Sequence, residues 1–125
     1  MDLELSELTE LVIGASINVH KKLGPGFLES IYEKAMVIEL IKNNIQIEQQ
    51  KGIPIYYDQL RVGEHRLDLL IEKTIVVELK AVNCIHSVYF SIVRSYLKAL
   101  NLKHGLIINF NKAVIEVKRV IYEIK

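Results

Sequence analysis

The sequence predicts an α/β fold: a central mixed β-sheet flanked by helices, with elements in the order α-α-β-β-β-α-β-β. Three observations point to it. Apolar residues recur at helical spacing through the first 42 positions and again from about 83 to 101. In the other stretches the period becomes that of strands, with apolar runs at Leu69-Leu70-Ile71, Ile75-Val76-Val77 and Leu106-Ile107-Ile108. A length of 125 residues has room for one domain around one core, residues 1–125.

Ser6 to about Lys22 is the first predicted helix. Leu8, Leu11, Val12, Ala15, Val19 and Leu23 share its apolar stripe. Ser6 is the candidate N-cap, with Glu7 in the first turn. Leu23-Gly24-Pro25-Gly26 ends the helix, since proline and two glycines cannot continue it. A second helix starts near Phe27 and runs to about Lys42, where Asn43-Asn44 stops it. Leu28, Ile31, Tyr32, Ala35, Ile38 and Leu40 put apolar surface on more than one side, which predicts a well-buried helix. Ile45 to Tyr57 then alternates in part, with Gly52 and Pro54 marking a bulge or a sheet edge. Asp58-Gln59 is a turn candidate. Leu60 to Ile71 is the second strand, with Gly63 as an irregularity, and Thr74 to Val82 the third. Asn83 to Asn101 returns to helical spacing through Val88, Ile92, Val93, Tyr96, Leu97 and Leu100. Leu106 to Phe110 is a short interior strand, and Val114 to Ile124 is the last, β-branched and basic.

Composition narrows the classes. Half the residues are hydrophobic and a quarter charged, as in an ordinary soluble globular protein. No apolar run is long enough to cross a bilayer, so no membrane role is expected. The acidic start argues against a signal peptide, and the cytoplasm is the default location. A single cysteine, Cys84, excludes an internal disulfide and a cysteine-rich zinc site, and reads as a small buried hydrophobe. Residues 1–79 hold 8 Lys/Arg against 13 Asp/Glu, a balance of −5; residues 80–125 hold 8 against 2, a balance of +6. The C-terminal half either presents a basic surface to a polyanion or carries its lysines as solvated faces. No Walker loop, dinucleotide fingerprint, H-x-x-x-H pair or G-x-S-x-G elbow is found.

The stretch that carries chemistry is Asp68 to Lys80, two apolar strands joined by a polar turn. A buried carboxylate is costly unless it is paired, hydrogen-bonded or holding a metal. Asp68 and Glu78 stand ten apart. If Ile71 faces Ile75 across the loop Glu72-Lys73-Thr74, the two carboxylates lie directly opposite, with Cβ atoms roughly 4.5–5.5 Å apart. A two-residue turn would instead set Asp68 against Val77 and send Glu78 to the other face. Lys80 shares a face with Glu78. Such a group suits Mg²⁺ or Mn²⁺, hard ions that prefer oxygen ligands, with the Leu79 carbonyl as a further ligand. The metal would serve phosphodiester hydrolysis, with Lys80 orienting a water or stabilising developing charge. The same residues would also make an internal salt bridge closing the hairpin.

Two motifs together carry a resemblance. Asp68…Glu78-Leu79-Lys80, on strands preceded by helices and followed by one, resembles the PD-(D/E)XK nuclease superfamily. Gly26-Phe27-Leu28-Glu29-Ser30-Ile31-Tyr32 matches G-x-x-E-x-x-Y, the signature of the small GxxExxY family within it. The flanking Val19-His20 to Glu29 segment, Arg61-Val62-Gly63-Glu64 and the Leu106 to Phe110 strand are similar as well, so the resemblance spans nearly the whole chain. It implies a single-domain restriction-endonuclease-like core and adds Glu29 to the metal site. A glutamate in the first turn of a helix is also favoured by the helix dipole alone. Tyr32 reads as a core aromatic with a bonded hydroxyl and His20 as a capping or packing residue. One departure stands out: relatives carry a glutamine four residues before the tyrosine of the next helix, and a histidine before that. Here Tyr96 is preceded by Ile92 and Tyr89 at those positions.

The resemblance implies a metal-dependent nuclease with Glu29, Asp68, Glu78 and Lys80 as its catalytic group and Glu29, Asp68, Glu78 and Leu79 as metal ligands. Arg94 and Lys98, four apart on the third helix, would hold the backbone of a nucleic acid, DNA before RNA. Ile92 favours the alternative, a catalytically impaired nuclease-fold module that binds nucleic acid or a protein partner. A homo-oligomer, or a partner subunit completing the enzyme, is a third reading.

Overall fold

The computed structural model describes residues 4–123. Among these lie three helices and five strands: α1 (Leu5–Leu23), α2 (Glu29–Lys42), β1 (Ile47–Tyr57), β2 (Leu60–Ile71), β3 (Ile75–Lys80), α3 (Ser87–Leu100), β4 (His104–Asn109) and β5 (Glu116–Ile121). The order is the expected one. Ile124 and Lys125, expected in the last strand and on the basic surface, lie outside the described residues.

The strands form one sheet in sequential order, β1-β2-β3-β4-β5. β3 and β4 run parallel and every other pair antiparallel, so the sheet is mixed. α3 supplies the crossover that a parallel pair needs. Alternation along β3 builds two cores. Ile75, Val77 and Leu79 pack with Leu8, Val12 and Val19 of α1 and with Met36 and Leu40 of α2. Val76 packs on the other face with Val93, Tyr96 and Leu97 of α3. Because β3 and β4 are covered on both faces, they read as unbroken apolar runs. Gly105 in β4 is where α3 comes closest: a Cβ there would stand 2.7 Å from Val93 Cγ1.

The link between α1 and α2 depends on its glycines. Gly24 and Gly26 take φ of 71° and 105°, where residues with a Cβ are strained. The turn of the β1–β2 hairpin, Asp58-Gln59, has both residues at positive φ, a primed turn that matches strand twist. Pro54 sits on β1, an edge strand, as its missing N–H requires. The register slips between Ile55 and Tyr56, opposite the Arg61 to Gly63 segment. β3 pairs only with Leu69 to Ile71, so the outer part of β1–β2 projects as a two-stranded ribbon.

Three expectations are corrected. Helix α1 starts at Leu5 with Glu4 as its N-cap residue, and Ser6 lies inside it with no capping role. Helix α2 is buried on one side only: Tyr32, Met36 and Leu40 face the sheet, while Ile31, Ile38 and Ile41 are exposed because no element covers the far side. Cys84 is exposed, because the chain leaves the sheet at Lys80 and residues 81–86 form a loop into α3.

Candidate active site

The central hairpin has the register that a three-residue loop demands. Ile71 pairs with Ile75, Leu70 with Val76 and Leu69 with Val77. Glu72 and Lys73 take positive φ, and the Thr74 N–H closes the turn on the Ile71 carbonyl at 2.8 Å. Asp68 and Glu78 come next, and there the backbone ladder stops. Each carboxylate takes over a lost partner on the opposite strand. The Asp68 N–H donates to Glu78 Oε1 at 2.9 Å, and the Leu79 N–H donates to Asp68 Oδ2 at 2.8 Å. Buried N–H groups need acceptors, and the side chains supply them.

Strand β2 also changes face at this point. Leu67 and Leu70, three apart, pack in the α3-side core, while Leu69 and Ile71 pack against α1 and α2. Opposite Asp68, Gln50 stands at φ 50° and drops out of the ladder between Gln49 and Lys51, with the same register on either side. Irregularities of this kind re-aim a side chain. Gln50 Nε2 donates to Asp68 Oδ1 at 3.2 Å and to Glu33 Oε1 at 2.7 Å.

Alternation from Val76 puts Glu78 and Lys80 on the α3 side. The Lys80 ammonium lies 4.5 Å from the centre of the Tyr89 ring, a cation–π contact with the first turn of α3. It also lies 4.0 Å from Glu29 Oε1, at the start of α2. Tyr32 holds the loop that delivers Glu29. Its buried hydroxyl donates to the Gly24 carbonyl at 2.6 Å and accepts from the Phe27 N–H at 3.1 Å. Its ring stacks on Phe110 at 4.4 Å, and the Phe110 N–H donates to the Lys80 carbonyl at 2.9 Å. One aromatic pair therefore ties the start of α2 to the end of β3.

The electrostatics follow from burial. Burial first, and then repulsion from Asp68, push the Glu78 carboxyl up to about 8. Burial also raises Asp68, against the opposing pull of the Leu79 N–H, Gln50 and Lys80. Glu29 is raised by burial and by Asp68, with Lys80 pulling it back. Burial and the two strand carboxylates keep the Tyr96 hydroxyl protonated well above its ordinary range.

Glu78 and Lys80 therefore lie at the carboxyl end of β3, the end of an α/β sheet where ligands bind, with Asp68 beside Glu78 and Glu29 beside Lys80. Arg94 and Lys98 do not join them. Both are exposed on α3, with no hydrogen bond or ion pair to the carboxylates among the described residues. The Leu79 side chain belongs to the core, and its N–H serves Asp68. Three participants carry little signal in the sequence. Gln50 left only a trace, the polar run Gln49-Gln50-Lys51 that interrupts β1. Tyr89 departs from the family pattern in sequence, and in the fold it is the partner of Lys80. Asn109, fully buried, donates to the Val82 carbonyl at 2.9 Å and accepts from the Val82 N–H at 3.1 Å, fixing the loop after Lys80.

The donors are all oxygens, and two are carboxylates, one buried and one half-buried, that repel each other, which suits a hard divalent cation in kind and in charge. The expected cluster of three is not closed. Among the described residues no three His, Cys, Asp or Glu side chains are gathered closely enough to hold an ion; Glu29 lies against Lys80 instead. Asp68 and Glu78 remain a fitting pair.

A family model of the PD-(D/E)XK nuclease superfamily matches residues 6–120. No curated protein and no solved structure matches. The mixed sheet flanked by helices, in this element order, is the restriction-endonuclease-like core, and superfamily members typically use divalent metal ions. With nearly the whole chain covered, this protein belongs to the PD-(D/E)XK nuclease superfamily.

Proposed function

We propose that this chain is a metal-dependent phosphodiesterase acting on DNA, a single-domain member of the GxxExxY group that carries Glu29 and Tyr32 in its signature. One observation carries the reading: buried Glu78 and half-buried Asp68 stand side by side, each accepting a backbone N–H from the opposite strand, with Lys80 next to them. A salt bridge closing a hairpin needs one carboxylate. The second, whose charge burial and Asp68 together oppose, is explained by a cation.

Asp68, Glu78 and the Leu79 carbonyl would hold Mg²⁺ or Mn²⁺, with Glu29 at the rim. Such an ion, when bound, polarises a phosphoryl oxygen and lowers the pKa of water. Gln50 orients Asp68 by its hydrogen bond. Lys80, fixed between Tyr89 and Glu29, presents a point charge to the oxygens of the reacting phosphate. Arg94 and Lys98 offer two cations for the phosphate backbone away from the reacting bond.

Cleavage of single- and double-stranded DNA and RNA with Mn²⁺ tests the reading. The wild type should cut DNA and Asp68→Ala should not. Equal cleavage by both would refute the site. A second reading, a module that binds nucleic acid or a protein without turnover, is favoured by Ile92 and by the Tyr89 ring against Lys80. Calorimetry separates the two: the enzyme binds Mn²⁺ through Asp68 and Glu78, and the module binds it weakly.

A further inference from the structure

The tip of the β1–β2 hairpin extends beyond both cores. Ile53 and Leu67 are buried, and the His65 ring meets Tyr96 edge-on. Beyond them the ribbon carries Tyr56, Tyr57, Leu60 and Val62, between 61% and 71% exposed. Hairpin tips are ordinarily polar. Two arginines accompany these side chains. Arg61 and Arg66 share one carboxylate, Glu64, at 3.2 and 3.3 Å. Over residues 51–66 three cations, Lys51, Arg61 and Arg66, meet two anions, Asp58 and Glu64, leaving +1.

The ribbon is continuous with the candidate active site. At its base Arg66 donates to the Gln50 carbonyl at 3.1 Å, and Gln50 donates to Asp68. Leu60 is eight residues from Asp68, roughly 27 Å along the strand at the usual rise. A nucleic acid lying in the site would pass along the ribbon toward its tip.

We propose that the ribbon tip grips a single-stranded stretch of nucleic acid flanking the cleavage point, with Tyr56 and Tyr57 stacking on bases and Arg61 meeting a phosphate. The proposal rests on the nucleolytic reading of Asp68 and Glu78. Charge decides between strand forms. A duplex hides its base faces and is held mainly through phosphates, which needs many cations. A net +1 is too little for that, whereas exposed aromatic rings bind unpaired bases irrespective of sequence. The ribbon's continuity with the candidate active site favours nucleic acid over a protein partner.

The test is fluorescence anisotropy of the full chain in EDTA, with a long single strand, a duplex of equal length and a single strand too short to reach the ribbon. Tyr56→Ala combined with Tyr57→Ala should weaken long-single-strand binding by roughly 10- to 100-fold, and the corresponding Phe pair should restore it. Duplex and short-strand binding should hardly change. The tip lies outside both cores, so an unchanged melting temperature is expected. Unchanged long-strand affinity overturns the proposal, as does an equal loss on duplex. So does a variant that binds nucleic acid like the wild type but sediments in a different oligomeric state, which would make the patch a contact between copies. Cleavage of the short strand with Mn²⁺, compared with Asp68→Ala, reports on the active site separately, so either idea can fail without the other.

Discussion

Glu78→Gln should stabilise the metal-free protein at alkaline pH while abolishing cleavage. Glu78 is 6% exposed, and its carboxyl is pushed up from 4.5 to about 8 by burial and by Asp68. Between those values the folded protein holds a proton that the unfolded chain has released. The stability this contributes is complete below about 4.5 and is lost as pH rises through 8. At 1.36 kcal/mol per unit the whole shift amounts to about 5 kcal/mol, a ceiling that structural relaxation lowers. Glutamine keeps the oxygen that accepts from the Asp68 N–H and never acquires the charge. A gain of about 2 kcal/mol over the wild type above pH 8 is therefore expected. Urea unfolding in EDTA at about pH 5, 7 and 9 measures it through the midpoint. The wild type should weaken steadily across this range, the variant should stay nearly level, and Mn²⁺ should restore the wild type alone. Parallel pH profiles, or a variant weaker than the wild type at the alkaline end, would refute the reasoning. The expected outcome is a site that sacrifices stability for function.

Three further outcomes are expected. Tyr32→Phe keeps the stack on Phe110 but frees Gly24 and Phe27, so thermal melting should show a loss of about 1 kcal/mol. Its kcat should fall further than Phe110→Leu of equal stability, because Glu29 loses its anchor; equal kcat values would show that the loop does not place Glu29. Asn109→Ala strands the Val82 N–H and carbonyl and should cost about 2–3 kcal/mol by chemical denaturation, with faster proteolysis of the loop after Lys80. Gly105→Ala drives a methyl group into Val93 Cγ1 and should cost about 1–3 kcal/mol by the same measurement, with metal binding by calorimetry unchanged.

The sequence by itself determined the element order and the single mixed sheet, and it narrowed the hairpin to two registers, of which the structure takes the one with Ile71 against Ile75. These are local: a side-chain period of two or 3.6, a three-residue loop and a ten-residue spacing specify which residues oppose each other. Asp68 against Glu78, with Lys80 on the same face, follows from counting. The motif around Glu29 likewise pointed to the residue that meets Lys80. What lies across layers could only be decided by tertiary structure. The apolar residues of α2 look alike in sequence, yet Tyr32 and Met36 meet the sheet and Ile38 and Ile41 meet water, because burial depends on which neighbours arrive. Cys84 is exposed for the same reason. Gln50 reaches Asp68 where a positive φ takes it out of the β1 ladder, and Tyr89 meets Lys80 only because α3 folds back over the end of β3. The carboxylate pair was written in strand periodicity; the groups that orient it were set by packing between elements far apart in the chain.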